Sequence, residues 1–185
     1  MNRIHRKICQ SDKWANAMHS QLMPWAVGDV PLDGDVLELG PGYGITTSWL
    51  ARHGGNLTAV EVDPALAADL RRRFDGEVDV HEADGAALPF PDKTFDTVVC
   101  FTMLHHVPSP EQQDKLFAEA QRVLRPGGVF AGSDSRLSLR FRIIHIGDTM
   151  VPVAPDTLPD RLLGAGFDAA KVGVGARSIR FRATR

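Results

Sequence analysis

The stretch VLELGPGYG, Val36 to Gly44, decides how this chain folds. A mostly apolar run carrying one carboxylate, Glu38, leads into Gly40, Gly42 and Gly44, with Tyr43 between the last two. The run reads as a buried parallel strand, and the glycines as a turn that comes close to a ligand. Glycine reaches φ > 0 freely and leaves no side chain in a ligand's path. The spacing is G-x-G-x-G, one residue short of the dinucleotide fingerprint G-x-G-x-x-G that seats a pyrophosphate on a helix N-terminus.

Working outward, Leu57–Val62 reads as a second strand, with Asp63 and Pro64 as cap and first residue of a helix bearing Leu66, Leu70 and Phe74 on one face. Between the two strands a helix is expected from Ile45 to Arg52, stopped by Gly54 and Gly55. Glu77–Glu82 is a third strand and Phe95–Phe101 (FDTVVCF) a fourth. A helix over Glu111–Leu124 follows, then a turn at RPGG and a fifth strand near Val129–Ser133. Residues 156–165 form a helix, and strands near Asp168–Val174 and Ser178–Thr184 close as a hairpin. Strands alternating with helices imply right-handed βαβ units and a parallel sheet. The fold class is α/β, a three-layer sandwich whose ligand binds at the carboxyl ends of the strands.

Upstream, Trp14, Met18 and Leu22 recur every fourth residue on a helix from Ser11 to Trp25 that Pro24 should close. Residues 1–30 form a helical segment, read either as a lid over the cleft or as a helix packed on the sheet's edge. The 185 residues suit a single domain, with 34–135 as the ligand-binding core. A formal net charge of −2 argues against a general nucleic-acid binder. Two cysteines, Cys9 and Cys100, make neither a disulfide framework nor a four-thiolate zinc site, and a reducing, cytoplasmic setting is expected. The N-terminal stretch MNRIHRKICQ lacks the apolar run expected of a signal peptide, and no stretch approaches membrane-spanning length.

Glu61 lies about twenty residues beyond the glycine turn, where a carboxylate accepts hydrogen bonds from ribose hydroxyls. Asp84, after the third strand, is placed to accept from an adenine amine. With VEVD, EADGAALPFPDKTFDTVVCFTMLHHV and RVLRPGGVF in order, residues 34–135 resemble the class I S-adenosylmethionine-dependent methyltransferases, specifically the small-molecule type related to quinone-biosynthesis enzymes. The resemblance implies a Rossmann-like seven-stranded sheet of order 3-2-1-4-5-7-6 with an antiparallel C-terminal hairpin strand. It implies S-adenosylmethionine as cofactor, with Glu38 and Gly40–Gly44 at its methionine part, Glu61 at the ribose, Asp84, Gly85 and Ala86 at the adenine, Phe101 and Thr102 lining the methionine pocket, and Val62 as a further cofactor-binding residue. A nicotinamide-dependent oxidoreductase and a non-catalytic S-adenosylmethionine-binding partner subunit remain as alternatives.

Methyl transfer to a small-molecule acceptor needs alignment more than activation, so no metal is expected. Tyr43 and Trp14 are candidates to face the sulfonium. His105 and His106 in TMLHHV are the candidate bases, with His145 as an outsider. No Asn-Pro-Pro-Tyr motif follows the fourth strand, which speaks against methylation of nucleic-acid bases. Arg136, Arg140 and Arg142 alternate with Leu137, Leu139 and Phe141. In an extended segment they would form one wall of an acceptor pocket for an anion, with Met150, Val151 and Val153 as its apolar part. Oligomeric state stays open.

Overall fold

The computed structural model describes residues 2–53 and 55–185, without the side chains of Arg3, Ile4 and Arg140. Seven strands form one sheet in the order β3-β2-β1-β4-β5-β7-β6. They are β1 (Asp35–Leu39), β2 (Asn56–Glu61), β3 (Asp79–Glu82), β4 (Phe95–Phe101), β5 (Leu124–Ser135), β6 (Ala169–Val174) and β7 (Ser178–Thr184). β1 to β5 run parallel, and β7 pairs antiparallel with both β5 and β6. The expected order and hairpin are therefore both present. β1 sits between β2 and β4, so the chain leaves it at the switch point, where neighbouring connections go to opposite sides.

The sheet is buried on both faces because the strands carry apolar side chains at odd and even positions alike. Leu37, Leu39, Val98 and Phe130 pack beneath α6 (Pro110–Val123) and α8 (Leu158–Gly164). Val36, Ala59, Val99 and Ala131 pack against α4 (Ile45–Leu50) and α5 (Pro64–Arg73). Ser109 and Asp63 cap α6 and α5 through side-chain acceptors, and each helix carries proline at its first position. Element ends fall within about two residues of expectation, except that β5 begins at Leu124. There Leu124 pairs with Phe95 and Val129 with Thr97, so RPGG loops out as a bulge inside the strand rather than preceding it. The expected stop at Gly54 lies outside the described residues.

Two expectations fail. Pro24 does not close the N-terminal helix. α1 (Arg3–Cys9) is followed by α2 (Asp12–Ala17), a π-helical turn at Met18–Leu22, and α3 (Met23–Val27). Met23 N–H reaches back to the carbonyl of Met18, so the ladder has already widened where proline lacks its donor. The second failure is the arginine stripe. Ser138 accepts from Phe141 N–H and starts a helix, α7 (Leu139–Ile144), so residues 139–144 are not extended. Arg142 points to solvent, Val153 is buried in the core, and the side chain of Arg140 lies outside the described residues. No helix among the described residues is long and apolar enough to cross a membrane.

The N-terminal helices serve two roles that the periodicity did not separate. Met23, Ala26 and Val27 are in the core against Val36 and Val99, whereas Trp14 and Leu22 stand half-buried over the sheet's carboxyl edge. Met23 is fully buried, so Met23→Ala should cost about 2–5 kcal/mol in urea unfolding. Trp14→Ala should cost less than half as much. Equal losses would show that the two parts are anchored alike.

Candidate active site

A cleft of about 1380 Å³ runs along the carboxyl ends of β1, β2, β3 and β4, roofed by α1, α2 and the π turn. Its floor is the Gly40–Gly44 turn, where all three glycines have positive φ, each against different surroundings. A Cβ on Gly40 would lie 2.8 Å from Met103 Cε, and one on Gly44 would lie 2.7 Å from Leu70 Cδ2. A Cβ on Gly42 would meet nothing within 4 Å. The outer two glycines thus admit protein neighbours, and the middle one leaves room in the cleft. Arg73 holds the turn from outside by donating to the carbonyl of Tyr43 at 2.6 Å.

Beneath the turn, Glu38 is almost wholly buried in β1. Thr46 and Thr47 of α4 donate their hydroxyls to its two oxygens, the latter at 2.6 Å. Burial outweighs these bonds and pushes the Glu38 carboxyl up to about 7. Glu38 and Gly44 support the cleft without lining it, whereas Gly40, Gly42, Tyr43 and Thr46 do line it.

Glu61 ends β2 and joins the turn to the next strand. Its Oε2 accepts from Gly42 N–H at 2.9 Å and its Oε1 from Asp63 N–H at 3.0 Å. Val62, 67% exposed, stands beyond it with its side chain in the cleft. Asp84 is exposed on the same wall, and its Oδ1 accepts from Ala86 N–H at 2.9 Å, which tightens the turn through Gly85. Phe101 and Thr102 close the floor where β4 ends. Thr102 has φ +53°, a left-handed conformation unusual for a β-branched residue, and its N–H donates to the carbonyl of Ser133. The twelve residues expected at the cofactor are thus brought to one edge.

Residues 37–132 match the family described as a methyltransferase domain. The chain belongs to the class I S-adenosylmethionine-dependent methyltransferases. It is 32% identical over 149 residues to a probable S-adenosylmethionine-dependent methyltransferase of Mycobacterium tuberculosis, covering 76% of this chain and 51% of that one. A fatty-acid O-methyltransferase of Mycolicibacterium smegmatis is 36% identical over 104 residues, 55% of this chain and 37% of that one. The chain therefore spans about half or less of these relatives' length. A solved S-adenosylmethionine-dependent methyltransferase of Thermotoga maritima superposes with TM-score 0.73 at 21% identity over 100% of this chain and 99% of that one, a likeness of fold.

At the far end of the cleft stand the histidines. His105 and His106 lie in a 3₁₀ turn, Leu104–His106, directly after β4. His105 is buried, with Nδ1 2.5 Å from Asp134 Oδ1 and its backbone N–H 2.9 Å from Asp134 Oδ2. The fully buried amide of Gln113 on α6 donates to the carbonyls of Leu104 and Val151 and fixes the same turn. His106 lines the cleft beside it, and burial together with its imidazole neighbours lowers it to about 3. It is neutral at physiological pH and a weak base. Sequence reading missed Asp134 and Gln113. The signal for Asp134 was an acidic residue at the end of an apolar strand, VFAGSDS, and Gln113 gave none.

Asp96 accepts from Asp35 N–H and pairs with Arg125, and Cys100 is buried, its thiol pushed well above the ordinary range.

Gly42→Ala should therefore weaken binding of S-adenosylhomocysteine at least tenfold in calorimetry. Melting should shift only by the strain of a non-glycine residue at positive φ, about 1–2 kcal/mol. Gly44→Ala should destabilise more, since its Cβ meets the core. The Glu38 carboxyl predicts a pH dependence. Its folded value of about 7 exceeds the reference 4.5, so the folded state holds the extra proton between these values and stability falls as pH rises through that window. Glu38→Gln lacks this loss. Relative to wild type it should gain on the order of 3 kcal/mol across the window, read as diverging melting curves. Parallel curves would place the ionisation elsewhere.

Proposed function

We propose that this protein transfers a methyl group from S-adenosylmethionine to a small-molecule acceptor. One observation carries the reading. One cleft joins a carboxylate-lined wall at β2 and β3 to an apolar and imidazole-lined chamber beneath the N-terminal helices. The cofactor supplies an electrophilic methyl on a sulfonium, displaced in line by the acceptor.

The chain's own residues bind, orient and exclude water. Glu61 keeps acceptor capacity on both oxygens for ribose hydroxyls after taking two backbone donors. Val62 offers an apolar face to the adenine, and Asp84, Gly85 and Ala86 its edge. The turn at Gly40–Gly44, shaped by Glu38 from below, holds the methionine part with Phe101 and Thr102. Tyr43 and Trp14 face the cleft and supply aromatic surface for a cation, worth roughly 0.5–2 kcal/mol each. Orientation of the acceptor contributes more, on the order of 7–11 kcal/mol. Met18, Leu22, Phe141 and Ile144 line the chamber and suit an acceptor with an apolar body. Arg136 and Arg177 at its rim favour a negative group on it. The roof of α1, α2 and the π turn serves as a lid.

Replacing Glu61 with Gln removes the charge that the ribose hydroxyls meet. Hydrogen bonds to charged groups contribute roughly 1.5–3 kcal/mol, so the dissociation constant for S-adenosylhomocysteine should rise tenfold or more. Some loss of melting temperature is expected as well, because Glu61 also holds Gly42 and Asp63 N–H. An unchanged constant, or binding of NADH in preference to S-adenosylhomocysteine by the wild type, would overturn the assignment.

A further inference from the structure

Four imidazoles crowd the acceptor end of the cleft: His5 from α1, His105 and His106 from the turn after β4, and His145 from the end of α7. His5 and His145 rings are 4.2 Å apart, His5 and His106 5.3 Å, and His106 and His145 5.5 Å. Among the described residues, ring nitrogens of His5, His106 and His145 all lie within 4.8 Å of one another.

Their hydrogen bonds fix how two of these rings are used. His5 Nδ1 stands 3.0 Å from Asp148 Oδ2, and His145 Nδ1 stands 2.8 Å from the carbonyl of Phe141. Both acceptors require the proton on Nδ1, so each ring presents Nε2 as a bare lone pair. His145 Nε2 is buried and, among the described residues, has no hydrogen-bond partner. Leaving a buried polar atom unpaired costs about 1–3 kcal/mol. A carboxylate or carbonyl behind Nδ1 with a free Nε2 in front is the arrangement that orients metal-binding histidines.

We infer that His5, His106 and His145 bind one divalent transition-metal ion of the zinc type at the acceptor end of the cleft, leaving a coordination position open. Three imidazoles suit zinc and its borderline neighbours. Nitrogens at about 2.0–2.1 Å from a tetrahedral ion are about 3.3 Å apart, so the three rings must draw closer than they stand here when the ion binds. His105 stands against two of them, ring centroids 4.2 Å from His106 and 4.9 Å from His145, and is held by Asp134 as a positioning residue. The open position takes an oxygen acid, a carboxylic acid or phenol, whose proton passes to solvent as its oxygen binds the ion. That last point rests on the cleft being the methyl-transfer site; metal binding itself does not.

The test uses the whole chain, freed of metal by a chelator and titrated with zinc against a chromophoric competitor, and with cobalt(II) for its visible absorption. One ion per chain should bind, with a tetrahedral cobalt spectrum. His106→Ala and His145→Ala should each abolish that event, Asp148→Asn should weaken it roughly 10- to 100-fold, and His81→Ala, at a surface pair with Asp79, should leave it unchanged. S-adenosylhomocysteine binding, measured on the same metal-free samples, reports that each variant is folded. Wild-type protein that binds S-adenosylhomocysteine but no zinc overturns the metal site and leaves the methyltransferase reading intact. Zinc binding that survives both histidine variants overturns it equally. Zinc binding without S-adenosylhomocysteine binding overturns the cofactor assignment alone.

Discussion

Glu38 lies inside a parallel strand, and its two oxygens are engaged by the hydroxyls of Thr46 and Thr47 on the following helix. A carboxylate without solvent must find donors, and here the donors come from α4, so the helix is drawn onto the end of β1. The glycine turn between them has little freedom left. Gly40 abuts Met103, Gly44 abuts Leu70, and Gly42 hangs on Glu61. The two carboxylates act in series, one setting the turn's height above the sheet and the other tying it to β2.

The parallel core was legible because its signals are local. Glycines, caps and apolar runs repeat in register with the strands, and Glu61 ends one strand while Asp84 follows the next. The same locality explains the errors. Pro24 was read as a stop because proline removes a donor, but the π turn before it had already shifted the ladder. Arg136, Arg140 and Arg142 were read as extended from their alternation, yet Ser138 supplies a helix cap that outweighs a period of two. Two periodicities were available over a few residues, and the cap decided between them.

The histidine cluster shows the limit of motif reading. His5, His106 and His145 share no spacing, since α1, the turn after β4 and α7 meet only once the chain has closed. His105 and His106 were legible as neighbours of β4, but their unlike surroundings were not. Both rings reach the cleft, but it is the His105 ring that Asp134 holds. What separates them is a contact between the turn after β4 and the end of β5. Asp134 and Gln113 fix the turn from β5 and α6, and neither belongs to a recognisable pattern.

The π turn at Met18–Leu22 has a consequence for how such a cleft diversifies. An α-helix advances about 100° per residue, so one residue more or fewer in that turn rotates everything before it by that angle. Met23, Ala26 and Val27 would keep their seats in the core while Trp14, Ile8 and His5 swung to another azimuth. A single-codon insertion or deletion there re-aims the whole roof without touching the hydrophobic foundation. The lining of such a cleft can therefore change by indexing a helix rather than by rebuilding it residue by residue.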